Sequence, residues 1–102
     1  MASTPHPKPI ASYSSTTKVS NSPYGFPLSL IELFALGFEK IENLEAYTKV
    51  KSIWLECNGI TQISGLDHMK GMRCLYLHQN KITKMENLHT FSRLHILNLS
   101  HN

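Results

Sequence analysis

Apolar side chains recur at a fixed interval of 22 residues through most of the chain. Residues 50–71 align with 72–93, and 94–102 fall beneath them. Val50, Met72 and Leu94 share a column, as do Ile53, Leu75 and Leu97, and Leu55, Leu77 and Leu99. Asn58, Asn80 and Asn102 form a further one. The second half of the unit starts earlier, with Phe38, Ile60 and Ile82; Ile41, Ile63 and Met85; Leu44, Leu66 and Leu88; and Tyr47, Met69 and Phe91. All 21 positions of these seven columns are apolar in a chain that is 41% hydrophobic, which chance would produce roughly once in 10⁸ trials. A unit this short cannot bury its apolar face alone, so successive units must stack.

The unit reads L-x-x-L-x-L-x-x-N-x-I, the leucine-rich-repeat signature. The expected fold is an α/β solenoid. The L-x-L alternation predicts short parallel strands with Leu55 and Leu77 turned inward. These strands would line the concave face, spaced about 4.8 Å apart. Each reversal after a strand strands backbone N–H and C=O groups. An asparagine amide carries both donors and acceptors, so Asn58, Asn80 and Asn102 are expected to form a structural ladder. The three-residue apolar spacing of Ile60, Ile63, Leu66 and Met69 predicts 3₁₀ or short helical segments on the convex side.

Three segments follow. Residues 1–26 hold four of the five prolines and nine Ser/Thr in the first 22 positions, which predicts a disordered leader. Residues 27–49 keep the back half of the unit but carry Leu36 where the asparagine belongs, which predicts a degenerate capping repeat. Residues 50–102 hold two complete repeats and a truncated third. Ending in mid-repeat, with Leu94, Leu97 and Leu99 on an uncovered edge strand, the chain is expected to be a fragment that is marginal or aggregates alone.

The I-E-N-L segment at Ile41–Leu44, and M-E-N-L at Met85–Leu88, resemble the 22-residue class of leucine-rich repeat. Within that class, residues 37–48 (Gly-Phe-Glu-Lys-Ile-Glu-Asn-Leu-Glu-Ala-Tyr-Thr) are similar to the opening of the leucine-rich-repeat dynein axonemal assembly factors. The string Ile53-Trp54-Leu55-Glu56-Cys57-Asn58-Gly59-Ile60 extends the resemblance. It covers about residues 36–102; the later repeats and long C-terminal region of that family are missing. The resemblance implies a factor for cytoplasmic preassembly of axonemal dynein arms in ciliated or flagellated cells. Its implied partners are proteins, namely dynein arm subunits and chaperone or assembly complexes. Other adaptors of the same repeat type remain open: a phosphatase regulator, a spliceosomal partner, a centrosomal scaffold, or the targeting module of a larger enzyme.

The residues agree with a scaffold. There is no glycine-rich phosphate loop, no G-x-S-x-G and no histidine pair at metal spacing, so neither catalysis, a cofactor, a metal nor a small-molecule substrate is expected. Beyond residue 31 eight Lys/Arg face seven Asp/Glu with no run of cations, a weak case for nucleic acid or an anionic membrane. Apolar runs reach nowhere near the 18 residues of a spanning helix.

The variable strand positions are the candidate contacts for a protein partner: Ser52, Trp54 and Glu56, then Cys74, Tyr76 and His78, then Ile96, Asn98 and Ser100. Trp54 and Tyr76 share a column, and aromatics are common interface anchors. A cross-strand pair that only stabilises the sheet has the same sequence signature. Cys57 and Cys74 occupy different columns and read as reduced thiols, while His68, His89 and His95 read as solvated.

Overall fold

The computed structural model describes residues 29–102. The leader at 1–26, and positions 27 and 28 of the capping unit, lie outside the described residues.

Each 22-residue unit supplies one three-residue strand: β1 (Leu30–Glu32), β2 (Ser52–Trp54), β3 (Cys74–Tyr76) and β4 (Ile96–Asn98). The four form one parallel sheet in the order β1-β2-β3-β4. Its register is the sequence period itself: Ile31 pairs with Ile53, Ile53 with Leu75, and Leu75 with Leu97. A one-residue slip would turn these side chains to the other face, so the apolar column holds the register. Backbone pairing runs past the strands, with the Leu55 N–H donating to the Tyr76 carbonyl at 2.9 Å and the Cys57 N–H to His78 at 3.2 Å.

The core lies on one side of the sheet. Ile31, Leu33, Ile53, Leu55, Leu75 and Leu77 are fully buried there, against Phe38, Ile60, Leu66 and Met69 of the return segments. Burial fades toward the C-terminal side: Leu94, Leu97 and Leu99 are partly buried, and Met85 is 70% exposed although Ile41 and Ile63 of its column are buried. A following unit covers Ile41 and Ile63; none lies over Met85 in these 102 residues.

The expected 3₁₀ or helical return segments are corrected here, because no helix occurs among the described residues. The three-residue apolar spacing is met by chained single turns. The Met69 N–H donates to Leu66 and the Met72 N–H to Met69; Phe91 to Leu88 and Leu94 to Phe91 repeat the pattern. A 3₁₀ helix needs such bonds at consecutive residues, and here they fall every third one.

Two columns of left-handed backbone complete each unit. Ala35, Cys57, Gln79 and His101 have φ of 54, 59, 57 and 57°, and Asn43, Gly65 and Asn87 have 64, 75 and 59°. Non-glycine residues adopt this region at a penalty of roughly 1–2 kcal/mol. The first column recurs at the reversal after each strand and the second within the return segments, so both belong to the repeat and are not local accidents.

Candidate functional site

The face opposite the core is held in place by the asparagines that follow each strand. The Asn80 Oδ1 accepts from the Asn58 N–H at 3.2 Å and the Ile60 N–H at 3.1 Å. Its Nδ2 donates to the Leu55 and Leu77 carbonyls, both at 3.0 Å. Asn58 repeats this one unit earlier, accepting from Leu36 and Phe38 and donating to Leu33 and Leu55. Asn102 does so one unit later, accepting from Ile82 and donating to Leu77 and Leu99. Leu36, which has no side-chain amide, donates its backbone N–H to the Asn58 Oδ1 of the next unit.

On this frame three columns of side chains point away from the core. The middle one holds Glu32, Trp54, Tyr76 and Asn98. The Trp54 and Tyr76 rings are stacked, with centroids 3.9 Å apart and planes 22° from parallel. Parallel strands at β-sheet spacing bring same-column rings face to face. The His78 ring lies edge-on to Tyr76 at 6.4 Å. Both aromatic residues are half-buried, so part of the stack faces outward.

The columns on either side are mixed. Glu56 Oε1 and His78 Nδ1 are neighbours in one column, and both are buried with no hydrogen-bond partner among the described residues. Asn98 and Ser100 satisfy each other, the Ser100 N–H and hydroxyl both donating to the Asn98 Oδ1, at 3.0 and 2.8 Å. Cys74 is a half-buried free thiol, and Ile96 is 44% exposed. The same columns reach back into the first unit, where Leu30 is 40% and Phe34 58% exposed. Those two residues were missing from the sequence-derived contacts; counting back 22 from Ser52 and Glu56 finds them.

The histidine expectation needs one correction. His68 is half-buried, with its Nε2 2.7 Å from the Leu44 carbonyl. A carbonyl only accepts, so Nε2 carries the proton. Cys57 is also engaged, its thiol lying 2.9 Å from the Gln79 Oε1 of the next unit. Among the described residues no three of His, Cys, Asp and Glu gather as a metal-binding group.

The chain thus presents a parallel sheet built one strand per 22-residue unit, with stacked aromatics on its open face. No family model matches the chain. It is similar to a dynein axonemal assembly factor 1 homologue of Drosophila erecta, 62% identical over 26 residues. The homologues of Drosophila melanogaster and Drosophila yakuba are each 58% identical over 26 residues. The match takes in 26% of this chain and 2% of each relative's length.

Proposed function

We propose that this chain is a non-catalytic protein-interaction scaffold of the leucine-rich-repeat solenoid type, acting in the cytoplasmic preassembly of axonemal dynein arms in cilia or flagella. The Trp54–Tyr76 stack on the outward face carries the interaction reading, since a surface that serves only solvent rarely displays two half-buried aromatics together. The short stretch shared with dynein axonemal assembly factor 1 homologues supports the assembly role. In this reading residues 27–49 cap the repeats, and dynein arm subunits or assembly complexes are the partners.

Depleting the gene in a flagellated cell and viewing axoneme cross-sections by electron microscopy tests the assembly role. Loss of dynein arms on intact doublets is the expected result; normal arms and beating would reject it and leave a general repeat adaptor. The interaction face is tested by Trp54→Ser in co-purification. Removing an aromatic anchor should weaken partner capture by about 2 kcal/mol, roughly thirtyfold. Unchanged capture would reject the contact, and together with a lowered unfolding midpoint it would assign the stack to sheet stability alone.

A further inference from the structure

The 22-residue period also sorts charge, and it gathers cations that are scattered in the sequence. Five of the eight Lys/Arg beyond residue 31 fall in the segments entering the strands: Lys49 and Lys51, Lys70 and Arg73, and Arg93. His95 joins them, and all six are exposed. Residues 48–51, 70–73 and 92–95 contain no Asp or Glu. The opposite edge, leaving the strands, is balanced instead, with Lys40, Lys81 and Lys84 among Glu39, Glu42 and Glu86.

Backbone hydrogen bonds set Lys51 and Arg73 side by side, with His95 next in line. The Arg73 N–H donates to the Lys51 carbonyl at 2.7 Å, and the His95 N–H to the Arg73 carbonyl at 2.8 Å. Lys51, Arg73 and His95 therefore occupy one column on three adjacent chain passes, about 5 Å apart. No salt bridge joins Lys49, Lys51, Arg73 or Arg93 to an acid of the described chain; the ion pair on the molecule's other edge is Lys84–Glu86 at 3.6 Å. Neighbouring like charges repel, and the fold gains nothing from stacking them.

We propose that this basic rim docks an acidic, extended polypeptide segment of a partner whose apolar residues lie over Trp54 and Tyr76; the proposal rests on the interaction-face reading above. Charge complementarity selects the occupant. Cations line the entering edge, while Glu56 stands on the adjoining sheet face. A polyphosphate backbone or a lipid surface laid across both would meet that acid. A polypeptide can set carboxylates over the rim and neutral residues over the sheet.

The test measures binding of dye-labelled poly-L-glutamate to the full 102-residue chain by fluorescence anisotropy. Wild type should bind it in a salt-sensitive manner. Lys51→Glu with Arg73→Glu should lose about tenfold or more in affinity, and the neutral pair Lys51→Gln with Arg73→Gln an intermediate amount. Lys81→Glu with Lys84→Glu, an equal change of net charge on the other edge, should change it less than about twofold. Equal losses from both charge reversals, or no binding by wild type, would overturn the proposal. So would tighter binding to poly-uridylate or to phosphatidylserine vesicles than to poly-L-glutamate. If Trp54→Ser abolishes partner capture while the rim variants bind poly-L-glutamate normally, only the rim fails; the reverse result rejects the aromatic face and keeps the rim.

Discussion

Replacing Asn80 by alanine should lower the urea midpoint more than any other asparagine substitution, through a loss of about 3 kcal/mol or more. Asn80 is 8% exposed and is the one polar side chain in the buried class among the described residues. Its removal strands the N–H groups of Asn58 and Ile60, and Ile60 is fully buried. It also strands one bond each to the Leu55 and Leu77 carbonyls. A buried donor without a partner costs about 1–3 kcal/mol, and two such donors dominate the sum. In a domain this size, each kcal/mol lowers Tm by roughly 4–8 °C, so the shift should exceed about 10 °C. Asn102→Ala gives the internal comparison. That side chain accepts only the Ile82 N–H and lies in an exposed turn, so about 1 kcal/mol is expected.

Asn80→Asp separates hydrogen bonding from shape. The aspartate keeps the volume but turns two donor hydrogens into acceptors facing the Leu55, Leu77 and His78 carbonyls. Those oxygens favour the neutral acid, so the folded-state pKa of the new carboxyl should lie above its unfolded value. The folded state then binds more protons, and stability falls as pH rises through that range. The aspartate variant should be nearer to wild type in mild acid than at neutral pH. Equal damage from Asn80→Ala and Asn102→Ala, with no pH dependence in Asn80→Asp, would mean that the amide is not what holds the turns.

How far the period reaches explains what was legible. Strand positions, parallel order and register follow from one apolar column, because Ile53, Leu75 and Leu97 must all face the core. The Trp54–Tyr76 stack follows from the same column arithmetic. Four features were hidden for physical reasons. A spacing of three fits both a 3₁₀ helix and chained turns, and only the bond pattern at Leu66, Met69 and Met72 separates them. The left-handed column 35/57/79/101 holds Ala, Cys, Gln and His, none of which advertises positive φ as glycine would. The engagement of His68 depends on the Leu44 carbonyl 24 residues away. The basic rim is invisible along the chain because its members are 22 residues apart, and it emerges only when units are stacked.

The second large effect is expected at Gly65, where alanine should cost about 3 kcal/mol. Gly65 has φ +75°, and a Cβ built there would stand 2.5 Å from the Ile41 carbonyl oxygen and 3.3 Å from its carbon. Both obstacles are backbone, so no rotamer relieves them; the two chain passes must part. Left-handed strain alone accounts for roughly 1–2 kcal/mol, and the forced separation of a close-packed layer adds a similar amount. Gly71→Ala is the matched control: no atom lies within 4 Å of its Cβ and its φ is not positive, so a change within about 0.5 kcal/mol is expected. Asn87, in the column of Gly65, shows the other way to fill it, with its Nδ2 2.6 Å from the Ile63 carbonyl. Gly65→Asn brings the same Cβ against Ile41 and should also destabilise, but less than Gly65→Ala, because asparagine tolerates positive φ and adds a donor near the Ile41 oxygen. The return segments and the strands are two sides of the same coils. Parting the passes at Ile41 and Gly65 should tilt the first unit against the second and loosen the packing of Trp54 against β1, its neighbour across that junction. Trp54 is the single tryptophan of the chain, so its emission reads that loosening directly. Gly65→Ala should shift the emission toward that of an exposed indole before the unfolding transition begins, and Gly71→Ala should not. An unshifted spectrum with a lowered midpoint would confine the damage to the return segments and leave the aromatic face independent of their spacing.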